Sequence, residues 1–536
     1  MTEIHTDVAI IGGGLGGIAA ALAALRRGCD VVLTEQYPWL GGQLTSQAVP
    51  PDEHSWIEQF GATATYRLLR REIRDYYRRH YPLTEFARAR DDLNPGAGWV
   101  SRLCHEPRVA VAVIDNLLAP YRSSGKLRIL KPYVPVGVHM QGDLVTAVRL
   151  RNVNRDDEIL VTAPYVLDAT ETGELLPLSG TEYVVGFESQ QETGEPSAPD
   201  EAQPMNMQAV SVCFAVDHVD GDHTIDKPAT YEFWREYTPA FLGGKLLSWN
   251  SPNPHTLEIV ERSFTPNPDD NPLSVVTDQR VSSGDADLWT FRRIAARRVF
   301  AEGVYPSDIT LVNWPMIDYV EGPLFEVSTH DAARHLEGAR ELSRSALYWL
   351  QTEAPRADGR TGYPGLRLRA DIVGTDDGLA QAPYIRESRR IRAVRTITEQ
   401  DLSLAVRGSH GAVHYDDSVG VGMYRIDLHP STGGDNYIDV GACPFEIPLG
   451  SLLPQRVQNL LAASKNIGTT HISNGCYRLH PVEWNVGEVA GLLAAFCLRR
   501  GLRPHAVQAK PDLLADFQSL LTREGVELHW PEITGY

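Results

Sequence analysis

The sequence predicts an α/β fold in which a doubly wound parallel sheet carries an inserted α+β domain, and three features predict it. The chain opens with a strand, a glycine turn, a helix and a second strand; several short strands follow between Lys126 and Asp168; and after a long mixed middle, a strand and a small-residue-rich helix return near the C-terminus. At ~100 to 200 residues per domain, the 536 residues allow two to four domains.

In order, Asp7 to Ile11 reads as a buried strand, Leu15 to Arg27 as a helix and Cys29 to Thr34 as a second buried strand. Val8 to Leu25 is an uncharged stretch long enough to raise a membrane span. Its glycines 12, 13, 14, 16 and 17 break any continuous helix and favour strand, turn and helix. Residues 65–81 carry apolar side chains in helical rhythm among six arginines, a helix with a solvated face. The runs LRIL, VPVGV, LVTAVRL and EILVTAPYVLD predict an antiparallel meander returning to the first sheet. Polar residues 186–206 mark a surface loop or boundary, and Ala332 to Leu350 is the clear helix of the middle. Asn459 to Ser464 reads as a strand, Val486 to Leu498 as a helix, and PDLLADFQSLLTREG as an amphipathic closing helix. One domain is thus expected from residues 1–180 and 415–505, the insert from 181–414, and a helical end from 506–536.

Fifty Lys plus Arg against 69 Asp plus Glu give a net charge of −19, which repels nucleic acid and anionic lipid surfaces. Six scattered cysteines form no CxxC or Cys/His cluster, so no metal centre or dithiol pair is expected. The first residues lack a basic stretch, so no secretory signal is expected and a reducing cytoplasm is the predicted location.

Gly12, Gly14 and Gly17 form GxGxxG between strand and helix. The first permits a tight turn, the second a backbone approach to pyrophosphate, and the third close helix–strand packing. Glu35, 23 residues after Gly12 at the end of the second strand, suits a ribose-binding acid. Together they predict a Rossmann-like dinucleotide site. Gly41, Gly42 and Gln43 bring a second glycine pair and point to FAD over NAD, because an extended dinucleotide needs a second close backbone approach.

On these residues the sequence resembles the large FAD-dependent oxidoreductase family of the glutathione-reductase-type flavoproteins, the two-dinucleotide-binding-domain superfamily. The stretch DATETG, residues 168–173, resembles the family's Ala-Thr-Gly-like turn at the cofactor and implies a role for Thr170. Val134 matches the residue whose backbone meets the adenine. SRLCHEP, residues 101–107, and PYIRESRRI, residues 383–391, also resemble family signatures. Residues 459–491 resemble the segment that closes over the isoalloxazine ring, which implies Gly487 and its neighbour Glu488 as cofactor residues. A helix beginning near Gly487 would aim free N–H groups and a positive dipole end at the flavin; equally, GEVAG could serve only close packing.

The resemblance implies an FAD-dependent oxidoreductase that oxidises a small organic molecule at a carbon bearing oxygen or nitrogen. With one GxGxxG and no CxxC, no second dinucleotide domain is expected, so electrons would pass to oxygen or an external acceptor. A flavin monooxygenase using an external reductant and a non-catalytic binding protein on the same fold are the rivals. His429, His471 and His480, the last beside Glu483, are the candidate bases. Arg386, Arg389 and Arg390 could bind flavin or a carboxylate, or be salt-bridged. Cys104 and His105 are candidates for a covalent flavin tether. Trp249, Trp289, Trp314 and Tyr319 could line the pocket or fill the core.

Overall fold

Val8, Ala9, Ile10 and Ile11 are wholly buried, as a central parallel strand covered on both faces requires. In the computed structural model, which describes residues 2–271 and 287–533, they lie in the middle of a five-stranded sheet. Its order is Leu460–Ala462, Tyr165–Asp168, Val8–Ile11, Val31–Thr34, Leu127–Leu130, and every pairing is parallel. The strand from near the C-terminus therefore forms one edge of the sheet that the N-terminus begins.

Tyr133–Gln141, Leu144–Asn152 and Glu158–Thr162 form the antiparallel meander, extended by Thr2–His5 in parallel with the last. LRIL is a correction to the sequence reading: Leu127–Leu130 joins the parallel sheet beside Val31–Thr34 instead of opening the meander. Four apolar-rich residues carry too little periodicity to tell the two apart.

The opening helix, Leu15–Arg26, packs on the late helix, His480–Arg500. A Cβ at Gly487 would stand 2.0 Å from the Gly16 carbonyl oxygen, and one at Gly491 2.3 Å from that of Ala20. These glycines allow the two backbones to touch. The arginine-rich segment forms the helix Ala64–His80, capped by Thr63, whose hydroxyl accepts from the Tyr66 N–H. Its face is less solvated than expected, for Arg70 and Arg74 turn inward to Glu53 and Glu58.

The middle of the chain builds an antiparallel sheet in the order Arg293–Ala295, Ile309–Val312, Phe214–His218, Leu366–Leu368. The long helix Thr329–Thr352 accompanies it, capped by Ser328. A second hydrophobic core, drawn from Val210 to Ile385, fills this region, with Trp249, Trp289 and Tyr319 among its buried members. The two parts are not sealed from each other: Cys213, Ala215 and Ile294 from the middle belong to the first core. All six cysteines are buried free thiols. Among the described residues, no helix is long and apolar enough to cross a membrane.

Candidate active site

The turn after the first strand needs glycine at position 12. Its φ is +106°, and an added Cβ would lie 2.2 Å from the Ala169 carbonyl oxygen, a gap no neighbouring backbone could open cheaply. Gly17 closes the turn, since a Cβ there would stand 2.0 Å from the Gly12 oxygen. The two segments that converge here, residues 12–14 and 169–172, form one wall of a cavity of about 340 Å³. Gly12, Gly14, Glu35, Gly42, Val134 and Thr170 all line it. The long middle helix also lines it, through Thr329, Ala332 and Leu336.

Glu35 accepts the Gly13 N–H at 3.1 Å and the Tyr37 N–H at 2.9 Å. Burial pushes its carboxyl up to about 7, although these N–H groups pull the other way. Asp168 anchors the second segment, accepting from the Thr170 hydroxyl at 2.7 Å and the Leu175 N–H at 3.2 Å, and burial raises it to about 6. Glu171, next to Thr170, reaches over the glycine turn. One of its oxygens pairs with the buried Lys465 ammonium, and the other, Oε1, is buried without a partner among the described residues. Oε1 of Gln43 and both amide atoms of Gln47 are also unpartnered. Gln43 itself is held by the Arg478 carbonyl oxygen, 3.0 Å away, and by Glu483. Buried polar atoms left unmade around a glycine cradle fit a large polar ligand.

The late helix departs from expectation. It begins at His480, with Pro481 in its first turn, so Gly487 lies two turns inside and offers no free N–H groups. Gly487 serves the contact with Gly16, and Glu488 is bonded to the Thr65 hydroxyl; neither lines the cavity. The first turn instead presents Glu483, which accepts from the Gly16 N–H at 3.3 Å and the Ser464 hydroxyl at 3.1 Å.

A second cavity, about 450 Å³, lies among Glu53, Trp99, Arg292, Trp314, Asp427 and His429. Of the three candidate histidines, His429 alone lines either cavity. Its Nδ1 lies 2.7 Å from Asp318 Oδ2, and Nε2 lies 4.0 Å from Asp427. Asp318 is wholly enclosed; burial alone would raise it, but Arg386 at 3.0 Å and His429 hold it down to about 2. His471 is buried elsewhere, stacked on Phe187 with ring centres 3.6 Å apart and Nδ1 3.0 Å from Glu387. His480 accepts the Asp52 N–H through Nδ1 at 3.0 Å, and burial drives it down to about 3. Its Nε2 is buried without a partner among the described residues.

The arginines of PYIRESRRI are committed. Arg386 binds Asp318 and the Ala209 carbonyl, Arg389 binds Glu326 at 2.6 Å, and Arg390 binds Glu387 at 2.6 Å and Glu188 at 3.0 Å. Cys104 is sealed inside, its thiol pushed up to about 12 by burial, and neither it nor His105 lines the two cavities. Of the four aromatics named for the pocket, Trp314 alone reaches it. Asp318, Asp427, Lys465 and Arg292 escape sequence reasoning, because their significance depends on partners distant along the chain. Away from both cavities, His414 and His529 approach the same Glu446 oxygen at 3.1 and 2.7 Å, a grouping the sequence reading did not foresee.

Residues 7–521 match the model of the family described as FAD dependent oxidoreductase. Among solved structures, the chain is similar to L-proline dehydrogenase from P. horikoshii, with 20% identity over 35% of this chain and 25% of that one, TM-score 0.19. It is also similar to glycerol-3-phosphate dehydrogenase from Bacillus halodurans complexed with FAD, with 14% identity over 40% of this chain and 41% of that one, TM-score 0.23. A third is THI4 from Thermovibrio ammonificans, with 18% identity over 37% and 76% of the two chains, TM-score 0.22. The chain spans about a quarter of the length of the proline dehydrogenase, and none of these likenesses carries an argument about the reaction. The family match is of another order, for it runs through the glycine turn, both cavities and the late helix, and by it this chain belongs to the FAD dependent oxidoreductase family, with FAD as its cofactor.

Proposed function

We propose that the chain dehydrogenates a small organic molecule at a carbon bearing a hydroxyl or an amine, with His429 as the base. The observation that carries this reading is the His429–Asp318 pair, whose histidine lines the second cavity. FAD, when bound, supplies a two-electron acceptor for the hydride that leaves carbon. The glycine-turn cavity is assigned to it, with Gly12, Gly14, Glu35, Gly42, Val134 and Thr170 as its holders. Gly17 and Gln43, also expected at the cofactor, do not line that cavity: Gly17 packs against Gly12, and Gln43 is bonded to Arg478 and Glu483.

The chain's own groups handle the proton. Asp318, kept ionised by Arg386, accepts the Nδ1–H of His429 and so fixes the tautomer whose Nε2 can accept a proton. As the C–H hydride departs, Nε2 takes the O–H or N–H proton, leaving a carbonyl or imine. Asp318 then stabilises the imidazolium. Trp99, Phe291 and Trp314 cover part of the cavity with apolar surface and limit water at the reacting carbon. Electrons leave to oxygen or an external acceptor. Residues 181–414 are assigned as the substrate domain, inserted between the cofactor-binding pieces 1–180 and 415–505.

Anaerobic bleaching of the flavin absorbance by a panel of alcohols, amines and hydroxy acids tests the reading. His429→Gln should keep its flavin and slow bleaching by about 10²- to 10⁴-fold. Stoichiometric NADPH consumption with an oxygenated product would replace the reading with the monooxygenase.

A further inference from the structure

The charged groups of the second cavity are nearly all spoken for. Glu53 is paired with Arg70, Asp427 with Arg478 at 3.3 Å, Asp439 with Arg425, and His429 with Asp318. Arg292 is less fully engaged. Its side chain is only 11% exposed, yet among the described residues its one ion pair is a loose 3.4 Å contact from Nη1 to Asp52, and Nε has no hydrogen-bond partner there. A guanidinium carries five N–H donors, and donors left unused away from water cost free energy. The group is held in place regardless. It lies over the Phe291 ring, 5.3 Å from its centre, and the adjoining Arg293 is locked to Asp270 at 2.8 Å and Asp308 at 2.9 Å. A fixed, under-used fork on a cavity wall is an anion receptor.

We propose that Arg292 anchors a carboxylate on the molecule oxidised in this cavity, so that the substrate is a small organic acid, such as a hydroxy or amino acid. This rests on the proposed dehydrogenation at His429. A planar monoanion suits the site better than a phosphate dianion, because Glu53, Asp427 and Asp439 share the same wall and would oppose the second charge. Trp99, Phe291 and Trp314 leave apolar surface for the rest of the molecule.

Benzoate, benzamide and phenyl phosphate, none of which has an oxidisable C–OH or C–N hydrogen at the site, are the probes. Each is titrated into the flavin-loaded protein by calorimetry and by perturbation of the flavin spectrum. Benzoate should bind at least about tenfold tighter than neutral benzamide, and Arg292→Met should remove that preference. Arg292→Lys, which keeps the charge and loses the fork, should retain part of it, and guards against a misfolded Met variant. Equal benzoate affinity in wild type and Arg292→Met overturns the proposal, as does phenyl phosphate binding tighter than benzoate through Arg292. Failure here is separable from failure of the reaction. If benzoate binds through Arg292 but no hydroxy or amino acid bleaches the flavin, the anion anchor stands and the dehydrogenation falls. If neutral alcohols or amines bleach it equally in wild type and Arg292→Met, the dehydrogenation stands and the anchor falls.

Discussion

Glu35 and Asp318 are both buried carboxylates, one at the glycine turn and one beside the second cavity's histidine, and their surroundings drive them in opposite directions. Around the glycine turn, Glu35 and Glu174 are pushed up to about 7 and Asp168 to about 6, in each case chiefly by burial. In the middle of the chain, burial also acts on Asp318 and Glu387, yet Arg386 and His429 hold the first to about 2, and His471 and Arg390 hold the second to about 2. The first region meets Glu35 and Asp168 chiefly with neutral N–H and O–H donors, whereas the second sets an arginine and a histidine beside each acid. Neutral donors leave a site able to exchange partners with a ligand, whereas the arginine pairs fix geometry and keep Asp318 and Glu387 ionised. That division suits a cofactor cavity on one side and a rigidly aimed base on the other.

The largest effect should come from breaking a charge pair. Asp318→Asn leaves the buried Arg386 uncompensated and should cost about 3–5 kcal/mol in denaturant unfolding. It should also slow flavin bleaching by on the order of a hundredfold or more, since His429 loses the group that sets its tautomer. A variant of unchanged stability would mean that Arg386 draws its compensation from elsewhere. Next in size is the glycine turn. Gly12→Ala forces a side chain into left-handed backbone and against the Ala169 oxygen, which should cost about 3 kcal/mol or more and yield colourless protein. Flavin content measured on the purified variant would decide it, and a fully yellow product would remove the turn from the cofactor site.

The two regions also differ in how far the sequence announces them. Gly12, Gly14, Gly17 and Glu35 sit within one strand–helix–strand unit, so local pattern is enough to place them. The late strand could be read because NLLAAS is an apolar run bounded by polar loops. The start of the late helix could have been read as well: Pro481 and Glu483 are ordinary first-turn signals. Gly487, a glycine that suggests a helix start, serves contact with the opening helix, as Gly491 does. His471 stands close to the late helix in sequence, but folding buries it on Phe187. His429 gains its meaning only from Asp318, 111 positions earlier, and Arg292 from the lack of a close partner. No periodicity or motif encodes such an encounter; it arises where the middle sheet and the segment around Asp427 meet.

The smallest effect is the most direct probe of the contrast. In the flavin-free protein, Glu35 has an ordinary carboxyl value of 4.5 when unfolded and about 7 when folded. Its folded form is therefore favoured while protonated, and that contribution is present below about 4.5 and lost as pH rises through about 7. Asp168, raised from 3.8 to about 6, acts in the same sense at slightly lower pH. Asp318, lowered from 3.8 to about 2, acts the other way: its stabilisation is present above 3.8 and lost as pH falls through about 2. Denaturant unfolding of the flavin-free protein should thus weaken between about pH 5 and pH 7.5, by roughly 2 kcal/mol from Glu35, since each tenfold change in proton affinity is worth ~1.4 kcal/mol. Glu35→Gln cannot ionise, so it should flatten that decline while leaving the part due to Asp168 and the acid-side loss due to Asp318. An equally steep decline in Glu35→Gln would show that Glu35 keeps its charge at little cost, and the opposition between the two regions would then rest on Asp168 and Glu174 alone.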